Sequence, residues 1–392
     1  MSIRHLLAMT TTTLGLSLSL HAAPPSGAPK IPGVDEKVAE FVKAGEIPGA
    51  VTLVATKGQI VHLSAVGKAN VAKDEAMAED ALFWIASMTK PVTGVAVMMM
   101  VEEGKIALDD PAGKYIPELK GLKGPDGKAY DVTIRQMMSH TSGLKDVDSK
   151  EVVGATKLAD LVPALAGKPL NFVPGTKWAY CQSGINMSGR IVEIASGMSY
   201  PEFVEKRITG PLGMTDTTFY LSQAQLPRLA PSYERLKDGT LKETPIKFLG
   251  GKSPADRDRY PLANGGLFST ARDYARFAQM VLNGGTFEGK QLLKPESVKE
   301  MLAPVTGDLK AGFVPGSQWA VGWGLVKEPQ GITGALSAGT YGHGGAYGTQ
   351  VWIDPVKGRI YLLMIQRSNI GNSDGSSLRQ AFQDAASKAL DR

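Results

Sequence analysis

Cysteine is almost missing from this 392-residue chain: Cys181 stands alone. A single thiol excludes a disulfide framework within one chain and any zinc site built on cysteines. Histidine is scarce, at five residues. None lies in an HExxH helix or in a carboxylate–histidine cluster at ligand spacing, so metal catalysis is not expected; nor is any other cofactor, since side chains and water suffice for the chemistry its residues offer. Neither sign of charge prevails: 43 Lys and Arg against 38 Asp and Glu leave +5. The charges are interspersed and there is no basic run, which argues against nucleic acid or a membrane surface as partner. Beyond residue 22 no apolar stretch approaches the roughly 20 residues needed to span a bilayer. What is present is the composition of a folded globular chain, 43% hydrophobic and 21% charged. Its 45 Gly and 24 Pro are spread without a period, which implies many loops and excludes a collagen.

Residues 1–22 have the pattern of a secretory signal peptide. Arg4 supplies the positive start, Leu6 to Leu20 carries no charge, and His21-Ala22-Ala23 ends the segment in small residues before Pro24-Pro25. Cleavage is expected after Ala22. A short membrane anchor is the competing reading, but the apolar stretch is too short to span a bilayer. The expected product is exported, periplasmic or secreted, with no membrane span in the mature chain.

Residues 23–32 are rich in Pro, Gly and Ser and form a flexible leader. Val34, Val38, Phe41 and Val42 follow at helical spacing and predict a helix to about Ala44. Two β-rich runs, 51–55 and 60–65, flank the hairpin signal Lys57-Gly58. Three more, at about 339–344, 347–353 and 359–367, lie near the C-terminus. A final helix carries Leu378, Phe382, Ala385, Ala389 and Leu390 on one face. Strands at both ends of the chain predict an α+β fold. One antiparallel sheet is built from the N- and C-terminal strands and flanked by the terminal helices. The parse is an α/β part at 33–105 and 261–392, with a mostly helical region at 106–260 inserted between them.

The leader removed, three histidines remain: His62, His140 and His343. His62 falls within a predicted strand and reads as structural. Gly371-Asn372-Ser373-Asp374-Gly375 matches G-x-S-x-G, but no histidine follows His343, so the usual Ser, acid, His order cannot be completed. It reads as a loop. Lysine offers another route to an activated serine. Ser87-Met88-Thr89-Lys90 is S-x-x-K, and on a helix residues three apart share a face. A lysine there lowers the proton affinity of its neighbours. If desolvated and neutral, it accepts the serine proton itself. Pro91 is tolerated only near a first helical turn. This puts Ser87 at a helix N-terminus, where free N–H groups favour a developing oxyanion. A second S-x-x-K match, Ser142 to Lys145, contains Gly143 and reads as a turn.

Ser87-Met88-Thr89-Lys90, Tyr180 and His343-Gly344-Gly345 together resemble the three motifs of the serine β-lactamase and penicillin-binding-protein superfamily. The chain is most similar to the class C β-lactamase-like serine hydrolases, which include family VIII carboxylesterases and D-peptidases. Residues 133–144, 174–180, 211–216 and 264–270 resemble further segments of that family, so the likeness covers nearly the whole chain after the leader. It implies a β-lactamase/transpeptidase-like fold and a covalent acyl-serine mechanism. Ser87 is then the nucleophile. Lys90 holds the proton network, and Tyr180 acts as the second-motif tyrosine, its phenolate favoured beside a cationic Lys90. The backbone N–H groups of Ser87 and Ala346 form the oxyanion hole. Gln182, His343, Gly344 and Gly345 contact substrate, the glycines because a side chain would obstruct the strand edge.

Two departures stand out. Tyr180-Cys181-Gln182 replaces the usual Tyr-Ser/Ala-Asn, and His343-Gly344-Gly345 replaces Lys-Thr-Gly. Both lean toward a carboxylesterase acting on a small-molecule ester or amide. β-Lactamase, D-peptidase and a non-hydrolytic acylated sensor are the alternatives. Trp178, Trp319, Trp323 and Tyr347 are candidates for an acyl pocket or for the core. His140 is expected to order a loop, and the charged run Lys145 to Lys150 to form a solvated face.

Overall fold

The computed structural model describes residues 29–392; the signal peptide expected at 1–22 and residues 23–28 of the expected flexible leader lie outside the described residues. The leader's end is docked, not free, because Ile31 is buried and bonded to His62. Helix α1 (Val34–Lys43) buries Val34 and Val38. Strands β1 (Gly49–Thr56) and β2 (Gln59–Asn70) follow as a hairpin. At its turn Gly58 has φ +91°, a region glycine enters without strain. A two-residue strand, β3 (Glu75–Ala76), pairs with β2. Helices α2 (Thr89–Glu102), α3 (Gln182–Ser196) and α4 (Ala271–Leu282) belong to the long excursion that comes next. The chain then returns as β4 (Ser317–Trp319), β5 (Gly324–Val326), β6 (Tyr341–Gly344), β7 (Gln350–Asp354) and β8 (Arg359–Met364). Helix α5 (Ser377–Leu390) closes it.

Among the described residues these eight strands form one sheet in the order β4-β5-β6-β7-β8-β1-β2-β3. The two ends of the chain meet where β1 and β8 run antiparallel, with Leu53 opposite Leu362. The α+β architecture expected from strands at both ends is thus the one observed. Strands β4 and β5 were not foreseen. Each has three residues and they lie among Gly316, Gly322 and Gly324, too short for an alternating pattern to show.

Both faces of the sheet are covered, and the pleat sorts the side chains. Val51, Leu53, Ala55, Ile360, Leu362 and Met364 face the helical side. Ala50, Val54, Tyr361 and Leu363 face the opposite side, where Val34 and Val38 of α1 meet Leu378, Phe382 and Ala386 of α5. His62 is buried in β2. Its Nδ1 accepts the Ile31 N–H at 3.0 Å and its Nε2 lies 2.9 Å from Thr52 Oγ1, a structural role as expected. Between 106 and 260 the chain is turns and short helices around the 15-residue α3, with two small hairpins, Leu122–Lys123 with Ala129–Tyr130 and Ser232–Arg235 with Leu241–Thr244. No helix among the described residues is long and apolar enough to cross a membrane.

Helix α2 positions the site. It is apolar nearly all round and buried from Thr89 to Met100, as such a helix must be. Pro91 stands third in it, where its missing N–H costs no helical bond. A single 3-10 turn, Ala86–Met88, precedes it and carries Ser87.

Candidate active site

Ser87 is introduced by a strained residue: Ala86 has φ +45° and is buried. A non-glycine residue in this region costs about 1–3 kcal/mol, so the surroundings must hold it there. Trp84 donates its indole N–H to the Gly265 carbonyl at 2.8 Å, and Thr349 Oγ1 donates to the Ile85 carbonyl at 3.2 Å. The turn is thereby pinned between the 264–267 loop and the start of β7. In the first turn of a helix the N–H of Ser87 has no intrahelical acceptor. The exposed Ala346, just past β6, likewise has an N–H without a backbone acceptor. These are the two donors expected of an oxyanion hole.

Lys90, one turn on, is fully buried. Its Nζ lies 3.0 Å from Ser87 Oγ and donates to the Asn264 carbonyl at 2.8 Å. It also stands 4.7 Å from the centroid of the Tyr180 ring. Burial pushes its pKa down to about 7, only partly offset by the negative Asp146. Tyr180 is half-buried as a residue, but its hydroxyl lies inside the site. Desolvation pushes the phenol well above its usual range, against a lowering influence from the Ser87 hydroxyl. Burial works against the expected pairing of a phenolate with a cationic lysine. Both groups are desolvated, and desolvation favours the neutral form of each.

His343 is buried on β6, its Nε2 3.4 Å from the Tyr180 hydroxyl. Its Nδ1 lies 2.7 Å from the Gly344 carbonyl. A carbonyl only accepts, so the proton sits on Nδ1 and Nε2 faces the phenol as acceptor. Burial and then the charge of Lys90 hold the ring neutral, its pKa lowered to about 3. His343 therefore backs Tyr180 and does not stand open to a substrate. The two glycines after it have a reason within the protein itself. An ideal Cβ on Gly344 would lie 2.0 Å from Asp374 Oδ1, and one on Gly345 2.1 Å from Thr349 Oγ1 and 2.7 Å from the Ile85 carbonyl. It is the protein's own packing that excludes a side chain. For Gly344 the G-x-S-x-G segment supplies that packing: Ser373 and Asp374 are buried in a 3-10 turn beneath β6.

Gln182 opens α3 and its Oε1 accepts from Asn264 Nδ2 at 2.7 Å. The side chain of Cys181, at the N-cap, makes no capping bond. Asp146 caps the helix from a separate loop, its Oδ1 accepting the Gln182 and Ser183 N–H groups at 2.6 and 2.9 Å. The charged run 145–150 is thus not simply a solvated face. His140 accepts the Cys181 N–H on Nδ1 at 3.1 Å, and its ring centroid lies 4.4 Å from that of Tyr180. It orders the loop that holds the second motif. Ser142 to Lys145 is a loop, as expected, with Gly143 at φ +76°.

Asp146, Asn264 and Asn186, whose Oδ1 accepts the Asn264 N–H at 3.1 Å, were missed as site residues. The only signal was the family-like segment around Asn264. A cleft of about 590 Å³ opens where Gln182 and Asn264 meet. Trp178, Trp319, Trp323 and Tyr347 do not line it. Trp178 and Trp319 pack beside Tyr180, Trp323 on Phe277, and Tyr347 on Trp84.

This geometry has relatives. Esterase EstB of Burkholderia gladioli is 28% identical over 378 residues, covering 88% of this chain and 92% of that one. Penicillin-binding protein 4 of Amycolatopsis lactamdurans is 30% identical over 307 residues, covering 78% of this chain and 76% of that one. Among solved structures, EstCE1, described as a hydrolase with promiscuous acyltransferase activity, superposes with a TM-score of 0.79 at 22% identity, covering 90% of this chain and 97% of its own. At that identity the likeness is one of fold. The model of the family described as Beta-lactamase matches residues 34–386, from the first helix to within the last. With the sheet closed by both ends of the chain and Ser87 set against Lys90, that match is decisive: the chain belongs to the beta-lactamase family.

Proposed function

We propose that the protein is an exported serine hydrolase that cleaves carboxylic esters through an acyl-Ser87 intermediate. The observation that carries this reading is Lys90, buried, 3.0 Å from Ser87 Oγ and with its pKa brought down to about 7. A lysine in that state accepts a proton at neutral pH. Ser87 Oγ attacks the ester carbonyl as its proton passes to Lys90 Nζ. The carbonyl electron pair moves to oxygen, where the Ser87 and Ala346 N–H groups receive it. On collapse the bond to the alcohol oxygen breaks and that oxygen takes the proton from Lys90. Water then repeats the sequence on the acyl-serine and releases the acid. Tyr180 stays neutral, and its hydroxyl, backed by His343, orients Ser87 Oγ. Gln182 leans the site toward esters over β-lactams and peptides: it is one methylene longer than the usual Asn, and its amide oxygen is turned toward Asn264. Export rests on the uncharged run from Leu6 to Leu20 behind Arg4.

Turnover of p-nitrophenyl esters, a chromogenic cephalosporin and D-alanyl peptides, side by side with Ser87→Ala, tests the activity. Ester cleavage lost in Ser87→Ala, with little lactam or peptide cleavage, is expected. Turnover unchanged in Ser87→Ala would overturn the nucleophile, and faster lactam than ester cleavage would overturn the substrate class. Export is tested by the N-terminal residue of the protein recovered from the periplasm or medium, expected to be Ala23.

A further inference from the structure

The cleft at Gln182 and Asn264 is as large as a site for a small organic molecule, about 590 Å³. It lies two hydrogen bonds from the nucleophile: Asn264 receives Lys90 Nζ, which in turn meets Ser87 Oγ. Two loops, 146–155 and 247–262, and the start of α3 form its walls. Leu161, Leu165, Met187, Leu249 and Leu262 make its lining mostly aliphatic.

Three of the four charged residues of the lining, Asp146, Lys247 and Lys252, are engaged by the protein. Asp146 caps α3. Lys247 pairs with Glu234 at 3.4 Å, and Lys252 donates to the Asp258 carbonyl. The buried Arg259 donates to the Phe219 and Pro254 carbonyls through Nη2 alone and lies 4.8 Å over the Tyr220 ring, while its Nε and Nη1 have no hydrogen-bond partner among the described residues. At the rim, Val153 and Phe248 are 85% and 59% exposed. Two large apolar side chains left in water on facing loops beside a mostly aliphatic cavity mark a surface that gains from an apolar ligand.

Resting on the ester-hydrolase reading above, we propose that this cleft binds a medium-length apolar arm of the substrate, so that esters with such an arm are preferred over small ones. The arm belongs to the acyl or to the alcohol half, and the chemistry of recognition is the same for both. A buried methylene is worth about a threefold to fourfold gain in kcat/KM while the chain still lengthens inside the cleft.

The test uses two series on the purified protein. One is p-nitrophenyl acetate, butyrate, hexanoate and octanoate; the other is ethyl, butyl, hexyl and octyl acetate. A rise of at least tenfold in kcat/KM along one series is expected, and it assigns the arm to that half of the ester. Ala155→Trp and Val152→Trp each place an indole in the cleft. The ratio of the longest to the shortest substrate should fall at least tenfold in both, with cooperative thermal unfolding retained as evidence of folding. A flat profile in both series, or a rise that survives both tryptophans, overturns the proposal while leaving the hydrolase reading intact. If no ester is turned over, that reading fails, and the cleft is judged by calorimetric titration of Ser87→Ala with p-nitrophenyl octanoate. Saturable binding lost in Ala155→Trp upholds the cleft, and absence of binding overturns it.

Discussion

Lys90 is the residue on which the chemistry turns, and its state follows from where the chain puts it. An ammonium taken from water into a buried helix loses solvation that one carbonyl and one hydroxyl do not restore. Burial therefore brings the pKa from 10.5 to about 7. The neutral form is the one that accepts the Ser87 proton, so activity should appear as Lys90 deprotonates. Below pH 7, kcat/KM is expected to rise about tenfold per pH unit and to level off above it. A pH–rate profile of the wild-type protein checks this. Lys90→Arg keeps a charge that cannot be lost in this range and should lower kcat by about 10²- to 10⁴-fold. Tyr180→Phe should leave the inflection near 7 in place, since the phenol is held neutral throughout. An inflection that disappears with Tyr180 instead would make tyrosine the base. Gly344 carries a second prediction at this scale. The Cβ of Gly344→Ala would meet Asp374 Oδ1 at 2.0 Å and Ser373 Oγ at 2.6 Å, a buried clash worth about 1–3 kcal/mol. Thermal unfolding without any substrate should show the loss. If stability were unchanged and only KM rose, the glycine would serve the substrate after all.

The start of α3 shows how one element is held by another. Its first two amides would be orphaned inside the cleft, because the Cys181 side chain makes no capping bond. Asp146 reaches them from the preceding loop, and the same carboxylate raises the pKa of Lys90 against the pull of burial. Asp146→Asn keeps an acceptor for the helix but removes the charge. The acid limb of the pH–rate profile should then move below 7, the direction that follows from withdrawing a negative neighbour from an ammonium. Loss of the charge at the helix N-terminus should cost about 0.5–1 kcal/mol, read as a lowered unfolding temperature. A limb that stays put would remove Asp146 from the electrostatics of the site. The element scale also marks the limit of what the sequence discloses. Val34, Val38 and Leu378, Phe382 betray their helices by period, and Lys57-Gly58 its hairpin by turn chemistry. Ser87, Lys90 and Pro91 betray the catalytic turn because helical spacing is local. Asp146 lies within a charged run and acts on residues 36 positions away, and no local pattern announces that. The cleft is hidden for the same reason, since it exists only where the loops at 146–155 and 247–262 face one another.

For the whole molecule the governing fact is that the sheet is closed by its two ends. Neither β1 nor β8 can be covered on the outer face without both α1 and α5, which come from opposite ends of the chain. Phe382 and Leu378 of α5 lie with Val34 and Val38 of α1 over Tyr361 and Leu363 of β8. Arg379 lies 3.7 Å over the Trp352 ring and donates to the Asp374 carbonyl at 2.6 Å. It thereby ties the helix to the turn that packs under Gly344. Tyr361 and Ser387 hydroxyls meet at 2.8 Å. Exposing Leu378 and Phe382 alone forfeits about 1.5–3 kcal/mol each, before the surface they leave bare on α1 and the sheet is counted. That is of the same order as the about 5–15 kcal/mol by which a domain is stable. A chain ending at Gly375 is therefore expected to lose cooperative thermal unfolding and, with Arg379 no longer holding the turn under β6, all Ser87-dependent turnover. The salt bridge from Asp391 to Arg359, 2.7 Å long but with its carboxylate 46% exposed, provides the contrast. Asp391→Asn should shift stability by less than about 1 kcal/mol. Should the truncated chain still melt cooperatively near the full-length temperature, the two ends would not be the clasp that the packing describes.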